Sequence, residues 1–261
     1  MDLGLTNKIA IVAASSKGLG LSIVQNLLQE GALVIMNGRD EISLTESFEK
    51  LGKPDEIRLF AGDVTVKSKC AELVLFAIKE FGNLDIVVSN CGGPDSGKFE
   101  DLIDIQWQAA IDQSLLSHIF LIRAALPYLK KSVNPSILTI TSFSVKQPIP
   151  NLILSNSIRA ATVGLTKSLA NELGSYGIRV NSILPGWTRT NRVEKLLDSR
   201  SQLKKTTKEQ EMDQIVQSIP LQRMADPDEF GKVAAFLVSP AASYITGVML
   251  NVDGGIIQGL F

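Results

Sequence analysis

Residues 9–20 read IAIVAASSKGLG, a six-residue apolar run rich in β-branched side chains, followed by a turn carrying Gly18 and Gly20. The turn opens an amphipathic stretch that continues to about Glu30. Strand, glycine turn and helix in that order form the first half of a β-α-β unit. The same order has chemical meaning. Gly18 and Gly20 allow close approach of backbone and helix to a ligand, and the helix's unpaired N-terminal N–H groups, with the positive end of its dipole, attract an anion such as a pyrophosphate.

Working outward, six further apolar runs alternate with helical periodicity: ALVIM, IRLFAG, LDIVVSN, SILTIT, IRVNSIL and VMLNVD. They are nearly continuous rather than alternating, as expected of parallel strands buried on both faces. The pattern predicts an α/β protein with a Rossmann-type, doubly wound, seven-stranded parallel sheet and helices on both faces. There is no 20–50-residue repeat and no low-complexity linker, so residues 1–261 are expected to form one dinucleotide-binding domain.

Composition narrows the partners. The chain is 45% hydrophobic and 20% charged with a formal net charge of −1, which gives no basic surface for nucleic acid or an anionic membrane. No segment has 18 uncharged apolar residues, and the N-terminal run is short enough to be a first strand, so a soluble, cytoplasmic protein is expected. Cys70, Cys91 and the single histidine, His118, show no metal-ligand spacing, and no metal is expected. Cys91 is read as a small buried residue after a strand, with a reactive thiol beside a cofactor as the alternative, and His118 as a core or interface residue.

The second informative stretch is 141–169, TSFSVKQPIPNLILSNSIRAATVGLTKSL. Ser155 and Arg159 are four apart and therefore stack on one helix face, while Ile158, Ala161, Leu165, Leu169 and Leu173 are expected to form the helix's apolar face. The stretch resembles the active-site segment of the short-chain dehydrogenases/reductases, in which a Ser is followed thirteen residues later by Tyr-x-x-x-Lys. Here the Ser is Ser142, and the last two positions are Ser155 and Arg159. The resemblance implies that Ser142 holds the substrate carbonyl, that position 155 supplies a proton as hydride arrives, and that position 159 binds the nicotinamide ribose. It also assigns a water-holding residue on the preceding helix to Ser114, where the family has Asn. Serine is a far weaker acid than a phenol of pKa about 10, and arginine keeps its charge but does not lose its proton. Lys146 and Asp95, on loops at the same sheet edge, are alternative proton sources.

The resemblance extends from about Thr6 to Gly255 and assigns the cofactor contacts. The family's G-x-x-x-G-x-G appears as Ala14, Ser15, Ser16, Lys17, Gly18, Leu19 and Gly20, with alanine at the first glycine. Gly38 stands where an NAD-specific member carries an acid. With Arg39 and Lys17 available for a 2′-phosphate, NADP(H) is expected over NAD(H), although Asp40 lies at the raw spacing of an NAD-type acid. Asp63 with Val64 resembles the adenine contact, Asn90 with Gly92 the Asn-Ala-Gly turn, and Pro185, Gly186, Thr188 and Thr190 the P-G-x-x-x-T turn.

Residues 104–131 read as one long helix, with Pro127 expected to kink or fray its end. A substrate lid is expected at about 190–219, with Leu196, Leu197, Leu203, Met212 and Ile215 on its inner face. Asp226-Pro227-Asp228-Glu229 reads as a helix start, and the apolar tail from Ile256 to Phe261 as a cover for a pocket or interface. The resemblance implies a homotetramer and an NADP(H)-dependent reductase of a small-molecule carbonyl or acyl thioester, similar to the 3-oxoacyl-[acyl-carrier-protein] reductases. The changed residues raise an alternative: a catalytically impaired nucleotide-binding homologue acting as a regulatory or assembly subunit.

Overall fold

A computed structural model describes residues 1–260 and shows seven parallel strands in one sheet. They are β1 (Ile9–Val12), β2 (Leu33–Gly38), β3 (Ile57–Ala61), β4 (Ile86–Ser89), β5 (Ser136–Ile140), β6 (Arg179–Pro185) and β7 (Met249–Val252). Their order is β3-β2-β1-β4-β5-β6-β7. Every residue of β1, β4 and β5 is buried, which is why these runs carry no alternation in the sequence. The chain moves outward from β1 in one direction to β3, then returns to start β4 on β1's other side. That reversal makes the C-terminal ends of β1 and β4 a topological switch point, where such sheets leave a crevice.

Two apolar cores cover the sheet. On one face α1 (Gly18–Gln29) and α9 (Pro227–Val238) pack through Ile23, Val24, Leu27, Phe230 and Ala234. They cross so closely that a Cβ on Gly231 would lie 2.5 Å from Asn26 Nδ2 and from Ser22 Oγ, so only glycine fits there. On the other face α3 (Lys67–Phe81) and α5 (Ser117–Leu129) contribute Leu73, Val74, Leu121 and Ala125. A further helix, α2 (Glu41–Lys50), begins at Asp40, whose side chain accepts from Ser43 N–H at 3.0 Å.

Two expectations are corrected here. The 104–131 stretch is not one regular helix: α4 (Asp104–Ile111) and α5 are joined by a π-helical turn at Asp112–Leu116. Pro127 lies in the last turn of α5, which ends at Leu129. Although Asp104–Leu129 is long and apolar enough by length and composition to cross a membrane, α5 packs against α3 and β4 in the second core.

The second correction concerns α6 (Ile153–Leu173). Its buried face is not the apolar row from Ile158 to Leu169 but Ser155, Arg159, Thr162 and Thr166, with Leu154, Ala170 and Leu173. The threonines satisfy one another and the backbone. Thr166 Oγ1 lies 2.9 Å from Thr139 Oγ1 and donates to Thr162 O at 2.8 Å, and Thr162 Oγ1 donates to Ser114 O. Paired hydroxyls are tolerated inside the protein, so a polar face can point at the sheet.

Candidate active site

A cavity of about 370 Å³ runs along the C-terminal edge of the sheet, from the end of β2 to the end of β6. Every residue assigned to cofactor binding from the sequence, Ala14 through Thr190, lines it, and so do Ser142, Ser155 and Arg159.

The glycine-turn end is built for an anion. Lys17, the residue capping α1, makes no side-chain cap bond, and the helix has no acid in its first turn. Its N-terminal N–H groups are therefore open to a ligand. Gly18 has φ +59, and a Cβ on Gly20 would come within 2.4 Å of Ala14 O, so both glycines are required by the turn. Ala14 itself has φ +47, a left-handed conformation that an alanine holds under strain. Asn90 ties this turn to β4 by donating to Ala14 O at 3.3 Å. Thr188 Oγ1, buried in the cavity lining, has no partner among the described residues, and this orphaned hydroxyl fits a site completed by a bound cofactor.

At the β2 and β3 ends, buried Gly38 presents no side chain and Arg39 is exposed, 4.0 Å from Asp63 Oδ2. Asp63 Oδ1 accepts from Thr65 N and Oγ1, both at 2.9 Å. Asp40 is engaged as the α2 cap, and its hydrogen bonds with Ser43 hold its carboxyl below the usual range.

The β4–β5 end carries the hydroxyl and guanidinium groups. Ser142 caps a short 3₁₀ turn, its Oγ accepting from Ser144 N–H at 3.1 Å, which leaves its own proton free to donate. Ser155 is buried, and its hydroxyl has no protein partner among the described residues. Arg159, 7% exposed, donates from Nη1 to Ile140 O at 3.0 Å and Thr141 O at 2.9 Å, and from Nη2 to Gly92 O at 3.2 Å. Its charge is thereby locked to the ends of β4 and β5.

Ser114 departs from its assignment. It is fully buried in the π turn, its hydroxyl has no partner among the described residues, and it does not line the cavity. The π turn advances the chain by one residue, and the neighbouring Gln113 faces the cavity instead. Lys146 and Asp95 also lie outside the lining, and Asp95 accepts from Gln106 Nε2 at 3.1 Å.

Sequence reading placed one group too deep and missed another. Cys91 is half-buried and lines the cavity, with Sγ 3.7 Å from His118 Nε2, while His118 Nδ1 lies 2.7 Å from Ser89 Oγ. Burial, with the Arg159 charge adding to it, pushes the imidazole pKa down to about 3, so it is neutral. The other is Arg192, from α7 (Asn191–Lys204), which reaches Pro94 O through Nη2 at 2.6 Å. Its guanidinium lies so close to the Gly93 turn that a Cβ on Gly93 would meet it at 2.7 Å.

Helices α7 and α8 (Lys208–Gln217) flank this end. Leu196 lines the cavity, while Leu197 and Ile215 are buried with Phe143, Trp187 and Ile256. Leu203 and Met212 are exposed, contrary to expectation, because the α7–α8 contact is made by Glu211. That fully buried carboxylate accepts from Arg200 Nε at 3.1 Å, Lys204 Nζ at 2.9 Å and Thr206 Oγ1 at 2.8 Å. The tail's Ile256 packs within its own chain, and Phe261 lies outside the described residues.

Fold and cavity define a dinucleotide-binding α/β protein. The chain belongs to the short-chain dehydrogenase/reductase superfamily of nicotinamide-dependent oxidoreductases: residues 13–257 match the family described as enoyl-(acyl carrier protein) reductase. It is 32% identical over 255 residues to dehydrogenase/reductase SDR family member 4 of Oryctolagus cuniculus, covering 96% of this chain and 94% of the relative. Among solved structures it resembles L-sorbose reductase from Gluconobacter frateurii complexed with NADPH and L-sorbose, with TM-score 0.91, 27% identity and full coverage of both chains. It is also similar to a short-chain oxidoreductase of Pseudomonas aeruginosa PAO1 described as containing an atypical catalytic center, with TM-score 0.90 and 27% identity over 98% of this chain and 99% of the other.

Proposed function

We propose that this protein is an NADP(H)-dependent carbonyl reductase whose proton comes from water rather than from a tyrosine. The observation that carries this reading is the single cavity that joins the glycine turn of α1 to Ser142, Ser155 and Arg159. Bound NADP(H) supplies the hydride that adds to the substrate's carbonyl carbon. The free Ser142 hydroxyl proton is available to the carbonyl oxygen, and Arg159 contributes fixed positive potential as charge develops there. The C=O electron pair moves to oxygen, which takes a proton from a water held by Ser155. Without a positioned acid the turnover is expected to run about 10²–10⁴-fold below that of a tyrosine-bearing relative.

Gly38, Arg39 and Lys17 support NADP(H) over NAD(H), as does the NADPH-bound sorbose reductase relative. The substrate is a small carbonyl compound or 3-oxoacyl thioester, and the protein a cytoplasmic homotetramer. Exposed Ile105 on α4 and the partly exposed row from Ile158 to Leu169 on α6 give such an assembly apolar surface to cover.

Fluorescence titration with NADPH and NADH, followed by assays on 3-oxoacyl thioesters, ketones and quinones, tests the reading. Tighter NADPH binding with slow turnover is expected. Binding without turnover on every class would replace the enzyme with a nucleotide-binding regulatory subunit.

A further inference from the structure

The cavity's two ends differ in charge balance. Four cations line it, Lys17, Arg39, Arg159 and Arg192, against two acids, Asp40 and Asp63. Both acids lie at the β2 and β3 ends, one capping α2 and the other holding Thr65. The β4–β5 end therefore presents two guanidinium groups, and neither has a carboxylate within 4.0 Å among the described residues. A bound cofactor would not neutralise them, since its phosphates belong at the open N-terminus of α1 and beside Arg39, and a nicotinamide ring carries no negative charge.

Burying cationic charge without a counter-ion is costly. Arg159 is 7% exposed and spends three N–H donors on carbonyls, which leaves its Nε–H and one Nη2 proton. Although Arg192 as a residue is exposed, its guanidinium lies against the Gly93 turn. Burial first and the Arg159 charge second lower its pKa, with Asp95 opposing. Two neighbouring guanidiniums with unused planar donors match a carboxylate, which accepts two hydrogen bonds in parallel.

Resting on the reductase reading, we propose that the substrate carries a carboxylate beside its reacting carbonyl, held between Arg192 of α7 and Arg159 of α6. The 2-oxo acids are the simplest such class. Ser142, on the adjacent strand end, then faces the carbonyl oxygen.

Calorimetric titration in the presence of saturating NADP⁺, which has no hydride to transfer, provides the test, using 2-oxobutyrate and its uncharged analogue 2,3-pentanedione. The acid should bind about tenfold or more tightly than the diketone, the difference expected of a charge-assisted pair of hydrogen bonds. Arg192→Gln should abolish that preference and Arg192→Lys restore part of it, while a separate titration of each free variant with NADPH reports that it is folded. Equal binding of the two probes, no measurable binding of the acid, or a preference unchanged in Arg192→Gln would overturn the proposal. The readout is independent of turnover. Reduction of neutral ketones with no acid preference would remove this inference and leave the reductase reading, whereas acid-selective binding with no reduction of any carbonyl would do the reverse.

Discussion

His118 is the only histidine in the chain, so its protonation can be observed without interference. It is fully buried on α5, with Nδ1 2.7 Å from Ser89 Oγ and Nε2 3.7 Å from Cys91 Sγ. Burial and the nearby Arg159 charge lower its pKa from 6.5 to about 3. In the unfolded chain the imidazole takes up a proton near 6.5, while in the folded chain it stays neutral to about 3. The unfolded state therefore binds more protons across that window, and stability falls as the pH drops below about 6.5. With these two values, linkage gives a loss of about 2 kcal/mol between pH 7 and pH 5. For a chain of this size that corresponds to a Tm lowered by roughly 4–8 °C. Nitrogen-15 imidazole shifts of the native protein measure the titration directly, and His118→Asn, which keeps a polar group for Ser89, isolates the stability effect. The variant's stability deficit relative to the parent should shrink by about 2 kcal/mol from pH 7 to pH 5. Imidazole signals titrating near 6 in the folded protein, or a deficit independent of pH, would refute the reasoning.

Ala14 holds φ +47, which costs an L-residue about 1–2 kcal/mol, while glycine gives back about 0.5–1 kcal/mol in unfolded-chain entropy. Ala14→Gly should accordingly raise stability by up to about 1 kcal/mol and Tm by roughly 2–4 °C, and a lower melting temperature by calorimetry would contradict the strain. Glu211, hydrogen-bonded first by Lys204 and then by Thr206 and Arg200, has its carboxyl held down to about 2. Its folded pKa is below its unfolded one, so the α7–α8 contact is complete above about pH 4.5 and weakens as the pH falls toward 2. Glu211→Gln should loosen the contact even at neutral pH. Hydrogen exchange should then quicken in α7 and α8 and not in the sheet, and unchanged exchange in those helices would count against it.

The strands were legible because parallel strands buried on both faces, β1, β4 and β5 above all, read as short, nearly continuous apolar runs. The cavity was nearly as legible, since Ala14, Asp63, Asn90, Ser142 and Gly186 of its lining each follow a strand end. The face of α6 was not. Counting apolar residues at helical spacing selects Ile158, Ala161, Leu165 and Leu169, whereas the sheet receives Thr162 and Thr166, whose hydroxyls find partners only once Thr139 and Ser114 are placed opposite. Ser114 was misassigned because a π turn leaves no mark in the spacing, yet it decides whether residue 113 or 114 faces the cavity. Arg192 was hidden for another reason: within a charged segment one arginine looks like another until the chain folds over Gly93.

The replacements at 155 and 159 acquire a common logic when their surroundings are considered together. A lysine at 159 would be a mobile point charge whose position depends on what it binds. The guanidinium of Arg159 is instead fixed by three carbonyls before any ligand arrives, so its potential acts without reorganisation, the condition under which electrostatic stabilisation of a developing oxyanion is strongest. Ser155 leaves open the volume that a phenol ring would fill, directly beside that charge. On the proposed reading an alkoxide formed at Ser142 lies in the field of Arg159, which lowers its demand for an immediate proton. Water is then expected to serve as the acid, at the cost in rate of about 10²–10⁴-fold that the absence of a positioned donor implies.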